Sequence, residues 1–210
     1  MNLYIASIKL WFKGFKENLQ RTITYSFKSD KINVITGDSS TGKSSILGII
    51  DYLLLSDDPI IVENIINENI EFYGMNIYLD GISYILIRKA PLLGKGTQDV
   101  YWEEQIEYPI PYTPTHTVGE MRTLFTKMFE VPESYKNVGH RKFSMTFRHF
   151  LPFNYLTEDI ISSANTYFDT NFLYAEVLKH SLIMRWSMSM VFDLIMGKKW
   201  KLQFKRLRES

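Results

Sequence analysis

The sequence predicts an α/β fold from three observations: alternating strands near the N-terminus, a glycine-bearing turn between a β-branched run and an apolar helix, and an Asp-Gly hairpin beyond that helix. The chain has 210 residues, 45% hydrophobic and 15% aromatic, with a net charge of +1. This composition describes a globular chain with one good core and an appendage, not a disordered or collagenous one. There is no cysteine, which excludes disulfides, zinc-thiolate sites, iron–sulfur clusters and cysteine nucleophiles. The balanced charge gives no global argument for nucleic acid.

Residues Leu3–Phe12 alternate loosely between apolar and polar, Lys13–Gln20 form a connection, and Thr22–Phe27 alternate again, so two strands joined by a loop are expected. Ser29-Asp30-Lys31 reads as a turn, and the β-branched run Ile32-Asn33-Val34-Ile35 as a buried core strand ending at Thr36-Gly37. Ser45–Leu55 place apolar residues at helical spacing and stop before Ser56-Asp57-Asp58-Pro59, whose proline cannot continue a helix. Ile70–Leu79 and Ser83–Arg88 flank Asp80-Gly81, a strong hairpin signal, and Val100-Tyr101-Trp102 adds a strand. Pro109–Pro114 read as an extended connection. Thr117–Phe129 set Val118, Met121, Leu124, Phe125, Met128 and Phe129 on one helical face. Asn137–Gly139 punctuate the chain, and Ser144–Phe153 and Phe172–Met196 read as further helical pieces. No internal repeat or low-complexity tract is present.

No basic stretch precedes a long apolar one at the N-terminus, so no secretory signal is expected and the expected location is the cytoplasm. Ile46–Leu55, broken by Asp51, and Leu182–Met196, broken by Arg185 and Asp193, fall short of the roughly 20 apolar residues a membrane span needs.

Chemistry concentrates in Gly37-Asp38-Ser39-Ser40-Thr41-Gly42-Lys43-Ser44, which matches Gly-x-x-x-x-Gly-Lys-[Ser/Thr] without deviation between the β-branched run and the apolar helix. Such a loop turns its backbone N–H groups inward around a phosphate. Gly37 and Gly42 permit the backbone angles, and the helix N-terminus adds unpaired donors and the positive end of its dipole. In this pattern Lys43 reaches the β- and γ-phosphates of ATP and the Ser44 hydroxyl ligates Mg²⁺. Ser45 supplies a further hydroxyl toward the α-phosphate. A glycine turn that merely caps a helix is the competing reading, but an eight-residue match arises by chance in roughly one chain in a hundred of this length, and fewer with a strand before and a helix after. Kinases and small GTPases usually carry the loop on their first strand and continue with parallel βαβ units. Here two strands precede the loop and an antiparallel hairpin follows its helix, the layout of ABC-type heads.

Ile8-Lys9-Leu10-Trp11, Lys31–Gly37, Thr41–Leu47 and Ile50-Asp51-Tyr52-Leu53 resemble the N-terminus of SMC-like and RecN-like ATPases. Within that group the chain is similar to a bacterial domain family of unknown function from three-component ABC-ATPase systems of defence against phage or plasmids. Arg148–Asn154 and Glu158–Ile161 belong to the same likeness, which covers about residues 1–180. The resemblance implies a P-loop NTPase head: an N-terminal lobe with a mixed core sheet, an antiparallel β-subdomain and C-terminal helices. It also implies ATP and Mg²⁺ as cofactors and a separate C-terminal lobe bearing a Ser-Gly-Gly signature and an Asp-Glu pair. Other system components, DNA and a second copy of the chain are the further partners it implies.

The chain departs from that pattern in having no Ser-Gly-Gly and no apolar strand ending in Asp-Glu. Asp80 and Asp193 end apolar runs, but in a hairpin turn and a helical stretch. No glutamine occupies Phe153–Glu158, where Asn154 or Thr157 are the substitutes. No catalytic residue is therefore assigned, and hydrolysis is expected to need the missing lobe. A self-sufficient P-loop kinase or transferase, with Arg88, Arg122, Arg141 and Arg148 as candidate lid arginines, needs parallel strands after the first helix. A non-enzymatic partner-binding remnant is the other alternative.

Phe12 and Phe15 are candidates for stacking adenine, with core packing the commoner role. His116, His140, His149 and His180 lack ligand spacing. The basic tail Lys198, Lys199, Lys201, Lys205, Arg206 and Arg208, interleaved with Trp200, Leu202, Phe204 and Leu207, makes an amphipathic helix over 181–210 suited to DNA backbone, a membrane surface or a partner groove. An exposed, frayed end is the commoner role of such a tail, and because the resemblance fades there a truncated coiled-coil start or an altered frame is the alternative.

Overall fold

The longest apolar alternations of the chain pair with one another. Leu3–Phe12 (β1) lies antiparallel to Thr22–Ser26 (β2) on one side and to Ile70–Leu79 (β3) on the other. Ile82–Lys89 (β4), Asp99–Glu104 (β5) and His116–Thr117 (β6) extend the sheet to six strands in the order β2-β1-β3-β4-β5-β6, with every neighbouring pair antiparallel. This computed structural model describes residues 3–13, 21–38, 43–58, 61, 69–92, 94–109, 113–131, 135–138, 141–144, 146–148 and 151. Two compact units divide the chain, Leu3–Met121 and a second that contains Arg122 onward. The expected boundary near residue 180, the Phe172–Met196 helix and the basic tail lie outside the described residues.

Asp80 and Gly81 join β3 to β4 with φ of 47° and 90°, the left-handed pair a two-residue hairpin requires to match strand twist. The register puts Ile8, Leu10, Tyr73, Met75, Ile77, Leu86, Arg88 and Val100 on one face. Trp11, Ile85, Ile87 and Tyr101 make a second core cluster on the other face, with Phe72 and Tyr108 packed against it. Burial on both faces explains why β3 and β4 read as near-continuous apolar runs instead of strict alternations. Gly74 is required in β3 because a Cβ there would stand 2.7 Å from the Trp11 ring.

The helix Lys43–Leu53 (α1) buries Ile46, Ile49, Tyr52 and Leu53, and the Tyr52 ring meets Tyr73 of β3 edge to face at 6.0 Å. It ends in a Schellman motif. The Ser56 N–H donates to the Asp51 carbonyl and the Leu55 N–H to the Tyr52 carbonyl, with Leu55 at φ 70°. The helix Val118–Met128 (α2) begins with a capping box in which the Thr117 N–H donates to the Glu120 carboxylate at 2.7 Å and the Glu120 N–H to the Thr117 hydroxyl at 3.3 Å. These bonds hold the Glu120 carboxyl below the usual carboxylate range, the Thr117 N–H contributing most. Glu130 closes α2 in the same way as Leu55 closes α1, at φ 50° with Val131 N–H donating to the Thr126 carbonyl.

In the second unit, Phe125, Phe129 and Phe147 form an aromatic trio with centroids 5.2 to 6.0 Å apart. There Tyr135–Val138 (β7) and Arg141–Ser144 (β8) pair antiparallel.

Four expectations are corrected. The core sheet is not mixed, because the described sheet is antiparallel throughout. Ile32-Asn33-Val34-Ile35 is not a buried strand: Ile32 is 93%, Val34 75% and Ile35 41% exposed, and none of them belongs to a ladder. The strands of the first unit pair with one another, so an inner strand at Ile32–Ile35 has no ladder partner among the described residues. Asn137 and Val138, expected to punctuate the chain, belong to β7 and pair with β8. Ser144 ends β8, and Phe147 and Arg148 form only a 3₁₀ turn where a helix was expected.

Candidate functional site

The glycine loop is entered from a short side-chain-stapled turn. The Asn33 side chain accepts from the Lys28 N–H at 2.9 Å and donates to the Lys28 and Lys31 carbonyls at 2.8 and 3.2 Å. Such local bonding by asparagine stabilises turns without any ladder. From there 32–38 run exposed to Gly37 and Asp38, the first two residues of the motif.

Lys43 is the first residue of α1, so the helix begins where the motif ends. Its ammonium folds back across the loop and donates to the Gly37 carbonyl at 2.7 Å and to the Asp38 carbonyl. The loop's two ends are thereby brought to one cation. The opening N–H groups of α1 have no carbonyl four residues earlier within the helix, and they lie beside that cation in sequence. Ser44 lies in the first turn, and Ser45 is buried at 6% exposure. Ser39, Ser40, Thr41 and Gly42 lie outside the described residues.

The far end of α1 is fixed to the sheet by a residue that motif reading treated differently. Arg88 of β4 is fully buried at 0% exposure. Its guanidinium donates to the Tyr52, Ser56 and Thr97 carbonyls and lies 3.9 Å from the Tyr52 ring centroid. The Tyr52 hydroxyl in turn donates to the Lys89 carbonyl at 2.6 Å and accepts from the Thr97 N–H at 3.2 Å. A fixed fork of donors suits the carbonyls at a helix C-terminus, where the dipole is negative. Arg88 as a lid arginine is therefore corrected: its guanidinium is buried inside the fold and bonded to three backbone carbonyls. The signal that could have found its structural role is a charge inside the apolar run Tyr84-Ile85-Leu86-Ile87-Arg88.

Of the other candidates, Asp80 and Phe12 belong to the first unit with the loop, and Arg122, Arg141 and Arg148 to the second. Asp80 sits exposed in the β3–β4 turn. Phe12 is half-buried in β1 with the Arg21 guanidinium 4.9 Å over its ring, a stacking partner of its own. Arg122 and Arg148 are half-buried, and Arg141 is in β8. Asn154, Thr157, Asp193, Phe15, His140, His149 and His180 lie outside the described residues. His116 is at the sheet edge, its Nδ1 2.8 Å from the Thr115 hydroxyl. Among the described residues no group of three His, Cys, Asp or Glu could hold a metal ion, and no helix is long and apolar enough to cross a membrane.

A second polar-aromatic cluster stands on the opposite sheet face. Lys9 Nζ lies 5.3 Å from the Trp11 ring and 5.4 Å from the Tyr108 ring. The Tyr108 hydroxyl donates to the Ser7 carbonyl at 3.2 Å, and burial pushes that phenol up to about 12. Tyr73, beneath α1, is also raised, by burial first and by Tyr52 second.

Compared with protein-family models, with curated proteins and with solved structures, the chain matches none.

Proposed function

We propose that the chain is the ATP-binding N-terminal half of an SMC-like ABC ATPase of a bacterial DNA-associated or phage-defence system, with Gly37–Ser45 as its phosphate loop. The observation that carries this reading is the ammonium of Lys43, at the first residue of α1, drawn over the carbonyls of Gly37 and Asp38. An ammonium held there by neutral carbonyls gains far more from a doubly charged phosphate, so the lysine exchanges its carbonyls for β- and γ-phosphate oxygens. The N–H groups of Lys43, Ser44 and Ser45 add donors at the same end of the helix. The Ser44 hydroxyl would hold Mg²⁺, which would supply positive charge against the phosphates. Because the sequence has no Ser-Gly-Gly and no apolar strand ending in Asp-Glu, turnover on this reading needs the general base and carboxylate of a separate C-terminal lobe. The kinase alternative is disfavoured by the antiparallel pairing of the strands that follow α1.

The test is a thermal melt of the full chain with and without Mg-ATP. A rise in Tm that saturates with nucleotide and disappears in Lys43→Ala is expected. No stabilisation at millimolar Mg-ATP overturns the reading. Steady ATP hydrolysis by the chain alone, abolished by Lys43→Ala, overturns the requirement for a second lobe.

A further inference from the structure

We propose that Arg88 is a positioning residue for the phosphate loop: from β4 it fixes the rotation and axial position of α1, and with them the place of the Lys43 ammonium. This role rests on the reading of Gly37–Ser45 as a phosphate loop. The helix α1 runs from Lys43 to Leu53, a rod of about 16 Å at 1.5 Å per residue. Its buried residues Ile46, Ile49, Tyr52 and Leu53 hold it against the sheet, but apolar burial is non-directional and leaves rotation and sliding weakly opposed. A phosphate site tolerates displacements of only about 0.5 Å in the groups that line it. Something directional must therefore set the helix.

Direction is supplied at the last turn. The Arg88 guanidinium donates to the Tyr52 carbonyl and, at 3.0 Å, to the Ser56 carbonyl, so one planar fork grips both the helix and the chain that leaves it. The same fork donates to the Thr97 carbonyl. The Thr97 N–H donates to the Tyr52 hydroxyl at 3.2 Å, that hydroxyl donates to the Lys89 carbonyl at 2.6 Å, and the Gly96 N–H donates to the Asp57 carbonyl at 2.8 Å. Little slack remains in this clasp: a Cβ on Gly96 would stand 3.0 Å from the Ser56 carbonyl oxygen and 3.1 Å from both the Arg88 guanidinium and the Asp57 carbonyl oxygen. A hydrogen-bonded helix of three turns is stiff, so a rotation or slide allowed at Tyr52 arrives undiminished at Lys43, at the other end of the rod. There it would move the ammonium that meets the Gly37 and Asp38 carbonyls. Arg88, at 0% exposure, acts on a bound nucleotide only through α1.

Calorimetric titration of the full chain with Mg-ATP tests this, at a temperature where thermal melts show each variant fully folded. The affinity of a fully folded population does not depend on its margin of stability, so an arginine that merely stabilised the fold would leave it unchanged. Arg88→Lys keeps the buried charge and loses the fork, and it is expected to weaken Mg-ATP binding about threefold or more. Tyr52→Phe, which keeps the ring and loses the hydroxyl bonds to Lys89 and Thr97, carries the same expectation where Arg88→Lys does not fold. Gly74→Ala is the control, because it strains the opposite sheet face against Trp11, and it is expected to bind Mg-ATP as the unaltered chain does. Unchanged affinity in Arg88→Lys, or in Tyr52→Phe where that variant alone folds, overturns the role of Arg88 and leaves the nucleotide reading standing. An equal loss of affinity in Gly74→Ala overturns it as well. An unaltered chain that binds no Mg-ATP overturns both.

Discussion

The guanidinium of Arg88 lies 3.9 Å from the ring centroid of Tyr52 and also donates to the backbone carbonyl of that same tyrosine. One cation of β4 thus holds one residue of α1 by its ring and by its main chain. A buried charge needs hydrogen-bonding partners, and the Ser56 and Thr97 carbonyls add two to that of Tyr52. The consequence reaches the glycine loop, because α1 is a rigid rod whose C-terminal turn is pinned to the sheet and whose first residue is Lys43.

Arg88→Met is therefore expected to destabilise the chain by about 3–5 kcal/mol, since it leaves the buried Tyr52 and Ser56 carbonyls and the half-buried Thr97 carbonyl without this donor. Arg88→Lys recovers only part of that, because an ammonium lacks the planar fork and stacks poorly on a ring. Urea midpoints of the three proteins check this. A loss below about 1 kcal/mol in Arg88→Met would show that the carbonyls find other donors.

Gly74→Ala is expected to destabilise by about 1–3 kcal/mol, since its Cβ would meet Trp11 ring carbons at 2.7 Å and a Tyr108 ring carbon at 2.9 Å. Gly119→Ala, in the first turn of α2 with nothing within 4 Å of the new Cβ, is expected to be neutral or stabilising. Equal losses at the two sites, measured by thermal unfolding, would contradict the packing described around Trp11.

The elements that were legible in the sequence are those whose signal is local. The Asp80-Gly81 turn, the alternation of β1 and β2, and the 3.6-residue spacing of α1 and α2 each form as their own residues dictate. Helix ends were less legible, because Leu55 and Glu130 take the left-handed position that glycine usually marks. Ile32–Ile35 misled for a different reason. A β-branched run states a preference for strand, but pairing and burial are supplied by neighbours the run does not encode. The β7–β8 pair was hidden because Tyr135–Val138 and Arg141–Ser144 are four residues each and lack apolar alternation. In the site, the Gly-Lys-Ser pattern was read directly, whereas Arg88 becomes interpretable only when Tyr52, Ser56 and Thr97 are brought together in space.

The buried phenol of Tyr108 predicts a loss of stability in alkali. Burial pushes its pKa up to about 12, against about 10 in an unfolded chain. A raised folded value means the contribution is complete below the unfolded pKa and is lost as pH rises from about 10 through about 12. At the upper end the loss is of order 2 kcal/mol. Urea unfolding at a series of alkaline pH values should show a shallower decline for Tyr108→Phe, after allowance for the Ser7 bond it also removes. An identical decline in both proteins would place the alkaline sensitivity elsewhere, and Tyr73, raised by the same cause, would be the next phenol to vary.

The exposure of Ile32 and Val34 makes a sharper prediction, because the two accounts of this segment differ by several kcal/mol. Had the run been a buried inner strand, replacing both residues by threonine would remove packed methyl groups and strand hydroxyls in the core, costing about 2 kcal/mol or more. At 93% and 75% exposure the same methyl groups already face water, and threonine keeps the β-branched backbone preference. The double variant Ile32→Thr, Val34→Thr is therefore expected to unfold within about 0.5 kcal/mol of the unaltered chain in a urea titration, and a loss of about 2 kcal/mol or more would show that the run is buried after all.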